Sequence, residues 1–130
     1  LVEMAITSFI AGEAISAGNA VYVNNSGFLY KAIATNQQQA AVVGVSLDTT
    51  TQSNLVRVAS DCLYTSLSSL TPGDLQYLSV ATSGSIVTYS GWQTELNATT
   101  LSGAFLTSVG RALATTTIDV EVQKPIYVTR

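Results

Sequence analysis

Ile15-Ser16-Ala17-Gly18-Asn19-Ala20-Val21-Tyr22-Val23 and Leu70-Thr71-Pro72-Gly73-Asp74-Leu75-Gln76-Tyr77-Leu78 are one pattern written twice, 55 residues apart. Each runs apolar, hydroxyl, small, Gly, Asn or Asp, then an alternating segment centred on Tyr. Ser26-Gly27 follows the first and Ser83-Gly84 the second. Val43-Gly44 then matches Val109-Gly110, and Leu55 to Val58 is set against Ile118 to Glu121. The offset has grown to 66 at the Val-Gly pair, which places an insertion of 11 residues within Tyr89 to Leu106, around the single Trp. Self-similarity on this scale means two supersecondary units that bury their faces against each other.

Outward from the repeat, short β-branched and aromatic runs alternate with Gly, Asn, Ser and Pro, the pattern of strands and turns. Ala20 to Val23, the turn Asn24-Asn25-Ser26-Gly27 and Phe28 to Ile33 predict a hairpin, with Gly27 supplying the positive φ. Ala41 to Leu47 and Leu55 to Ala59 are further strands; Val56 and Val58 share one face and Arg57 the other. Ile118, Val120 and Val122 alternate with Asp119 and Glu121 as a half-buried strand. Pro125 interrupts, and Ile126 to Val128 fits an edge strand. The one helical candidate, Gln93 to Leu96, reads as a turn at most. The expected fold is all-β, a compact barrel or sandwich of two similar antiparallel halves (about 11–60 and 66–122) within one domain, 11–130, preceded by an arm, 1–10.

The chain has 130 residues, a one-domain length, and 10% charged side chains against about 25% in an average soluble protein. Its polar surface is mostly neutral, with 15 Ser and 17 Thr. Such a surface can pack closely against neighbours, because burying a hydroxyl costs less than burying a charge. The five cations, Lys31, Arg57, Arg111, Lys124 and Arg130, stand singly, so the clustered charge that nucleic acid requires is missing. No apolar run approaches the roughly 20 residues of a spanning helix, and no membrane role is expected. The chain opens on Leu1, which reads as a processed product or as part of something longer.

Ala11-Gly12-Glu13-Ala14-Ile15-Ser16-Ala17-Gly18-Asn19-Ala20-Val21-Tyr22-Val23, with Lys31-Ala32, Ala41-Val42-Val43-Gly44-Val45 and Leu70-Thr71-Pro72-Gly73-Asp74, resembles the capsid decoration (cement) proteins of tailed bacteriophages. The likeness spans residues 9 to 122 and rests on strand and turn patterns, not on chemistry. It implies a virion protein on the outer capsid surface, often a homotrimer, that bridges major capsid subunits. It carries no catalytic residue over, and the insertion around Trp92 departs from the pattern. Related β modules occur in phage tail fibres and spikes, the rival reading.

The sequence holds no His, the usual general base, and no nucleophile elbow, phosphate loop or dinucleotide fingerprint. Cys62 stands alone without soft co-ligands and reads as a small buried side chain. No enzyme activity, metal or cofactor is therefore expected. Asp119 and Glu121 share a strand face about 7 Å apart, the separation of a glycosidase pair, but alternation alone favours a solvated face over a hydrolase or carbohydrate-binding domain. Asp48 and Asp61 read as turn caps. The sequons Asn24-Asn25-Ser26 and Asn97-Ala98-Thr99 read as turns.

Binding is expected in two places. The opening segment carries Val2, Met4, Ile6 and Phe9 and has no counterpart before the second repeat. It is either an extended arm added to another chain's sheet or the first strand of its own barrel. In the insertion, Trp92, Leu96, Leu101 and Phe105 are either interface anchors or a roof over the core. Tyr22 and Tyr77, equivalent in the repeat, read as core or near-core packing.

Overall fold

A computed structural model describes residues 5–129. Its strands are β1 (Ala5–Ala11), β2 (Ala20–Val23), β3 (Phe28–Lys31), β4 (Gly44–Ser46), β5 (Leu55–Thr65), β6 (Leu75–Leu78), β7 (Ile86–Val87), β8 (Gly103–Leu106), β9 (Ser108–Ala112), β10 (Thr117–Glu121) and β11 (Ile126–Thr129). Helix α1 (Gln37–Ala40) separates β3 from β4, and α2 (Tyr89–Asn97) separates β7 from β8.

The pairing repeats as the sequence does. In the first half β3 pairs with β2, β2 with β4 and β4 with β5; in the second β7 pairs with β6, β6 with β9 and β9 with β10. All six pairs are antiparallel, as is the β5–β10 ladder that joins the halves. The order β3-β2-β4-β5-β10-β9-β6-β7 thus presents the same succession of roles from either end. The fold is all-β, built from two similar antiparallel halves.

The quoted repeats do equivalent work. Gly18 has φ +91° and Gly73 φ +92°, a conformation that costs Gly little and other residues much. Gly18 N–H donates to the Ser46 carbonyl (2.8 Å) and Gly73 N–H to the Ala112 carbonyl (2.7 Å). Ser46 N–H returns a bond to Asn19, and Ala112 N–H one to Asp74. Each turn therefore locks onto the strand that pairs with the one it precedes, β4 beside β2 and β9 beside β6.

Gly44 and Gly110 are equivalent by close approach. A Cβ on Gly44 would lie 2.3 Å from the Ala59 carbonyl oxygen, and one on Gly110 would lie 2.2 Å from that of Asp119. Ala59 therefore corresponds to Asp119 and Val58 to Ile118, a match that the ladders Val45↔Ala59 and Arg111↔Asp119 also give. The alignment of Leu55–Val58 with Ile118–Glu121 is three residues out of step. The cause is unequal hairpins, with residues 47–54 linking β4 to β5 but only 113–116 linking β9 to β10.

β1 has no counterpart in the second half. It runs antiparallel to β5 from Ile10↔Leu55 to Ala5↔Asp61 and parallel to β3 at Ile10↔Phe28 and Ala11↔Leu29. These pairings close β1-β3-β2-β4-β5 into a ring filled by Ala11, Ile15, Val21, Leu29, Val56 and Val58. Residues 5–11 are thus the first strand of the chain's own barrel, while Val2 and Met4 lie outside the described residues. A larger core, including Tyr22, Tyr64, Leu78, Trp92, Ile118 and Val120, lies where the halves meet.

The insertion is helical, against the expectation of a turn. Thr88 caps α2, its hydroxyl accepting the Gly91 N–H at 3.2 Å. Trp92 and Leu96, four apart, put one face into the core, and the Trp92 indole N–H donates to the Phe105 carbonyl at 3.0 Å. The Glu95 carboxylate accepts from the Ser79 hydroxyl and the Val80 N–H, tying the helix to the loop after β6. Helix α1 is capped by Asn36, whose side chain accepts the Gln39 N–H; it ends before Ala41, and the strand expected over Ala41 to Leu47 is confined to Gly44–Ser46. β5, expected to end at Ala59, runs on to Thr65, and β8 with β11 forms a separate two-stranded ribbon.

Candidate interaction surface

Of the eight residues singled out in the sequence, six are described: Trp92, Leu96 and Phe105 come together at the larger core, whereas Ile6 and Phe9 lie apart from them on β1. Trp92 is 1% exposed and Leu96 4%, so both belong to the core and neither is free to anchor a partner. Phe105 is half-buried on β8, in edge contact with Tyr127 at 5.2 Å between ring centroids. Leu101 is exposed in the loop after α2. Phe9 is half-buried against the barrel core, while Ile6 points outward from β1.

Ladder register assembles an outward apolar row around Ile10. Ile10 is opposite Phe28 on one neighbour and Leu55 on the other, and directly paired residues point to the same face. Ile10 is 37% exposed, Phe28 41% and Leu55 67%, with Ile6 on the same face four residues back. Phe28 and Leu55 were missed in the sequence, although Leu55 must share the outward face of Arg57 once Val56 and Val58 point in. Arg57, the next residue on that face, is neutralised within the chain. Its guanidinium meets Asp48 at 2.8 Å and its N–H donates to the same carboxylate. The Arg57 side-chain bond, more than its charge, holds the Asp48 carboxyl below the usual range. Asp48 is therefore an ion-pair partner as well as a loop residue.

A second feature lies on strands of the other half. Asp119 and Glu121 line a shallow depression of about 330 Å³ with Arg111 and Ser108, which strand alternation does not reveal. Ser108 and Gln123 also line a neighbouring pocket of about 490 Å³, walled by Tyr77, Leu106 and Ile126 and bordered by Lys124. Tyr77 touches Tyr89 edge-on at 6.0 Å, and Tyr89 stacks on Trp92 and lines a third crease of about 260 Å³. Tyr77 is therefore half-buried at a pocket wall, whereas its equivalent Tyr22 is buried and stacks on Tyr30.

Cys62 is buried on β5, and burial pushes its thiol up, with the Asp61 and Asp119 charges adding to the effect. Among the described residues no three His, Cys, Asp or Glu side chains are grouped so as to hold a metal ion. No described helix is long and apolar enough to cross a membrane. Asn24 is a turn residue, its side chain accepting from Ser26 and Phe28 N–H, whereas Asn97 ends α2. No protein-family model matches the chain, and no curated protein matches it.

Proposed function

We propose that this chain is a non-catalytic structural virion protein that decorates the outer surface of a phage head. It works by docking apolar strand faces onto major capsid subunits and sister copies. The observation that carries this reading is the row Phe28–Ile10–Leu55, three large apolar side chains held outward on adjacent strands. The low charge of the chain supports it, because a neutral hydroxyl-rich rim can be buried at modest cost. So does the likeness of residues 9–122 to decoration proteins, from which the three-fold association is taken.

The mechanism is adhesion multiplied by valency. Each contact is weak, and a copy that touches two or three subunits at once holds far more tightly than any single contact allows. Labelled antibody imaging of particles by cryo-electron microscopy tests the location. Hundreds of copies spread over the head are expected; a few copies at the tail would replace this reading with that of a fibre module.

A further inference from the structure

We infer that the crease between α2 and the end of β11 binds a neutral sugar ring, as the end subsite of a track for a linear polysaccharide. This goes beyond the docking role and uses other residues. Tyr89, Gln93 and Asn97 recur every four residues along one face of α2 and line the crease, with Thr129 of β11 across from them. None of the residues lining it carries a charge.

The chemistry of the lining selects the ligand. Tyr89 is 45% exposed, and its ring is held by stacking on Trp92, with 10° between planes. Trp92 is itself fixed by its indole bond to the Phe105 carbonyl. A pyranose presents an apolar C–H face that covers such a ring, while its hydroxyls need groups that both donate and accept. Amides are such groups, and neither the Gln93 nor the Asn97 amide is engaged by another described group. A few convergent polar groups on a rigid, largely apolar wall are what small-ligand sites share. Among the described residues that line the crease, a charged ligand would meet no counter-charge.

Continuity points to a chain and not a single sugar. The wall of the crease touches that of the pocket lined by Leu106 and Ile126 through the Tyr89–Tyr77 contact. Ile126 and Val128 share one face of β11, so one strand borders both. That pocket opens in turn, over Ser108 and Gln123, onto the depression at Asp119 and Glu121. Aromatic rings spaced along a row of adjoining hollows suit a repeating ligand, each residue of which presents the same face.

The test is a microarray of neutral bacterial polysaccharides probed with the full chain, followed by titration of the bound glycans in solution through Trp92, the one Trp of the chain. Binding that shifts Trp92 emission and is unchanged between low and high salt is expected. Both Tyr89→Ala and the double variant Gln93→Ala/Asn97→Ala should weaken it by about tenfold or more. The amide pair is exposed, so that variant keeps its fold even if Tyr89→Ala does not. Leu55→Asp, on the docking face, should leave glycan binding intact, which separates this site from the decoration role. The inference is overturned if no neutral glycan binds, if the amide variant binds undiminished, or if an extended peptide selected on the chain occupies the crease instead.

Discussion

Replacing Leu55 by Asp should abolish docking while leaving the fold intact. Leu55 is 67% exposed, so it has given up only about a third of the 1.5–3 kcal/mol that full burial of a Leu side chain yields. About 1–2 kcal/mol therefore remains to be realised when a partner covers it. Adding the exposed fractions of Ile6, Ile10 and Phe28 gives the row about two full side chains' worth, roughly 3–5 kcal/mol. That corresponds to about millimolar binding for one face alone, weak enough that decoration must draw on several contacts per copy. Leu55→Ala should weaken binding about 5- to 30-fold. Leu55→Asp should weaken it at least 100-fold, because a carboxylate must also be stripped of water. Neither should move the unfolding free energy by more than about 0.5–1 kcal/mol, the position being largely solvated. Heads prepared without the protein are titrated with each variant and pelleted, and the bound fraction is read by gel. Circular dichroism and urea melts run in parallel. A folded Leu55→Asp variant that saturates heads at the wild-type concentration would show that this face is not the one used.

Three further outcomes follow from the repeat and the surface charge. Gly44→Ala and Gly110→Ala should each cost about 2–4 kcal/mol in urea melts, since either Cβ must push a backbone carbonyl back by more than half an ångström; near-wild-type stability for both would mean the close approach is easily relieved. Gln76, 2% exposed with its amide nitrogen unpartnered among described protein groups, holds the register place that Val21 holds opposite Gly44. Gln76→Val should therefore raise stability by about 1 kcal/mol, and a loss of that size would reveal a partner for the amide. The Asp48 carboxyl titrates below its ordinary 3.8, so its pair with Arg57 stabilises the fold above that pH, and the benefit fades as pH falls through the depressed value. The melting-temperature gap between wild type and Asp48→Asn should be small, as expected for an exposed pair, and should close as pH falls through the depressed value.

What the sequence revealed was periodicity, and what it hid was direction. Alternation in Ala20–Val23, Leu55–Ala59 and Ile118–Val122 marks strands because one face of each is apolar, and the glycines at 18 and 73 mark turns because few other residues tolerate their φ. Alternation cannot say which face looks inward at a strand with apolar residues on both sides. Leu55 and Phe28 were therefore invisible as surface residues, and Trp92 and Leu96 looked available when they are buried. Helix α2 escaped notice because Gly91 and Thr94 are poor helix formers and only two of its residues face the core; the Glu95 contacts and the Thr88 cap that hold it depend on tertiary placement. The Asp119–Glu121 depression was equally unreadable, since its walls come from three strands and the segment leading to a fourth.

The equivalence of Ala59 with Asp119 carries a consequence for how one architecture yields two kinds of surface. It makes Asp61 equivalent to Glu121, and these two are partners in the β5–β10 ladder, so the pseudo-two-fold axis of the halves passes between them. Thr117 lies opposite Thr65 on one side of that axis; strict symmetry would put Arg57 opposite Pro125 on the other. Proline cannot donate to a ladder, and the chain leaves β10 after Glu121 to reach β11. Arg57 is opposite Ser8 instead, because β1 occupies the vacated edge of β5. That single exchange closes the first half into a ring with Ile10 set between Phe28 and Leu55. It also frees residues 126–129 to pair with β8 beside α2, where they border the aromatic track. The apolar face and the uncharged crease are thus alternative results of one broken symmetry. Substitutions that strengthen β1 on β5 should tune docking without altering the crease.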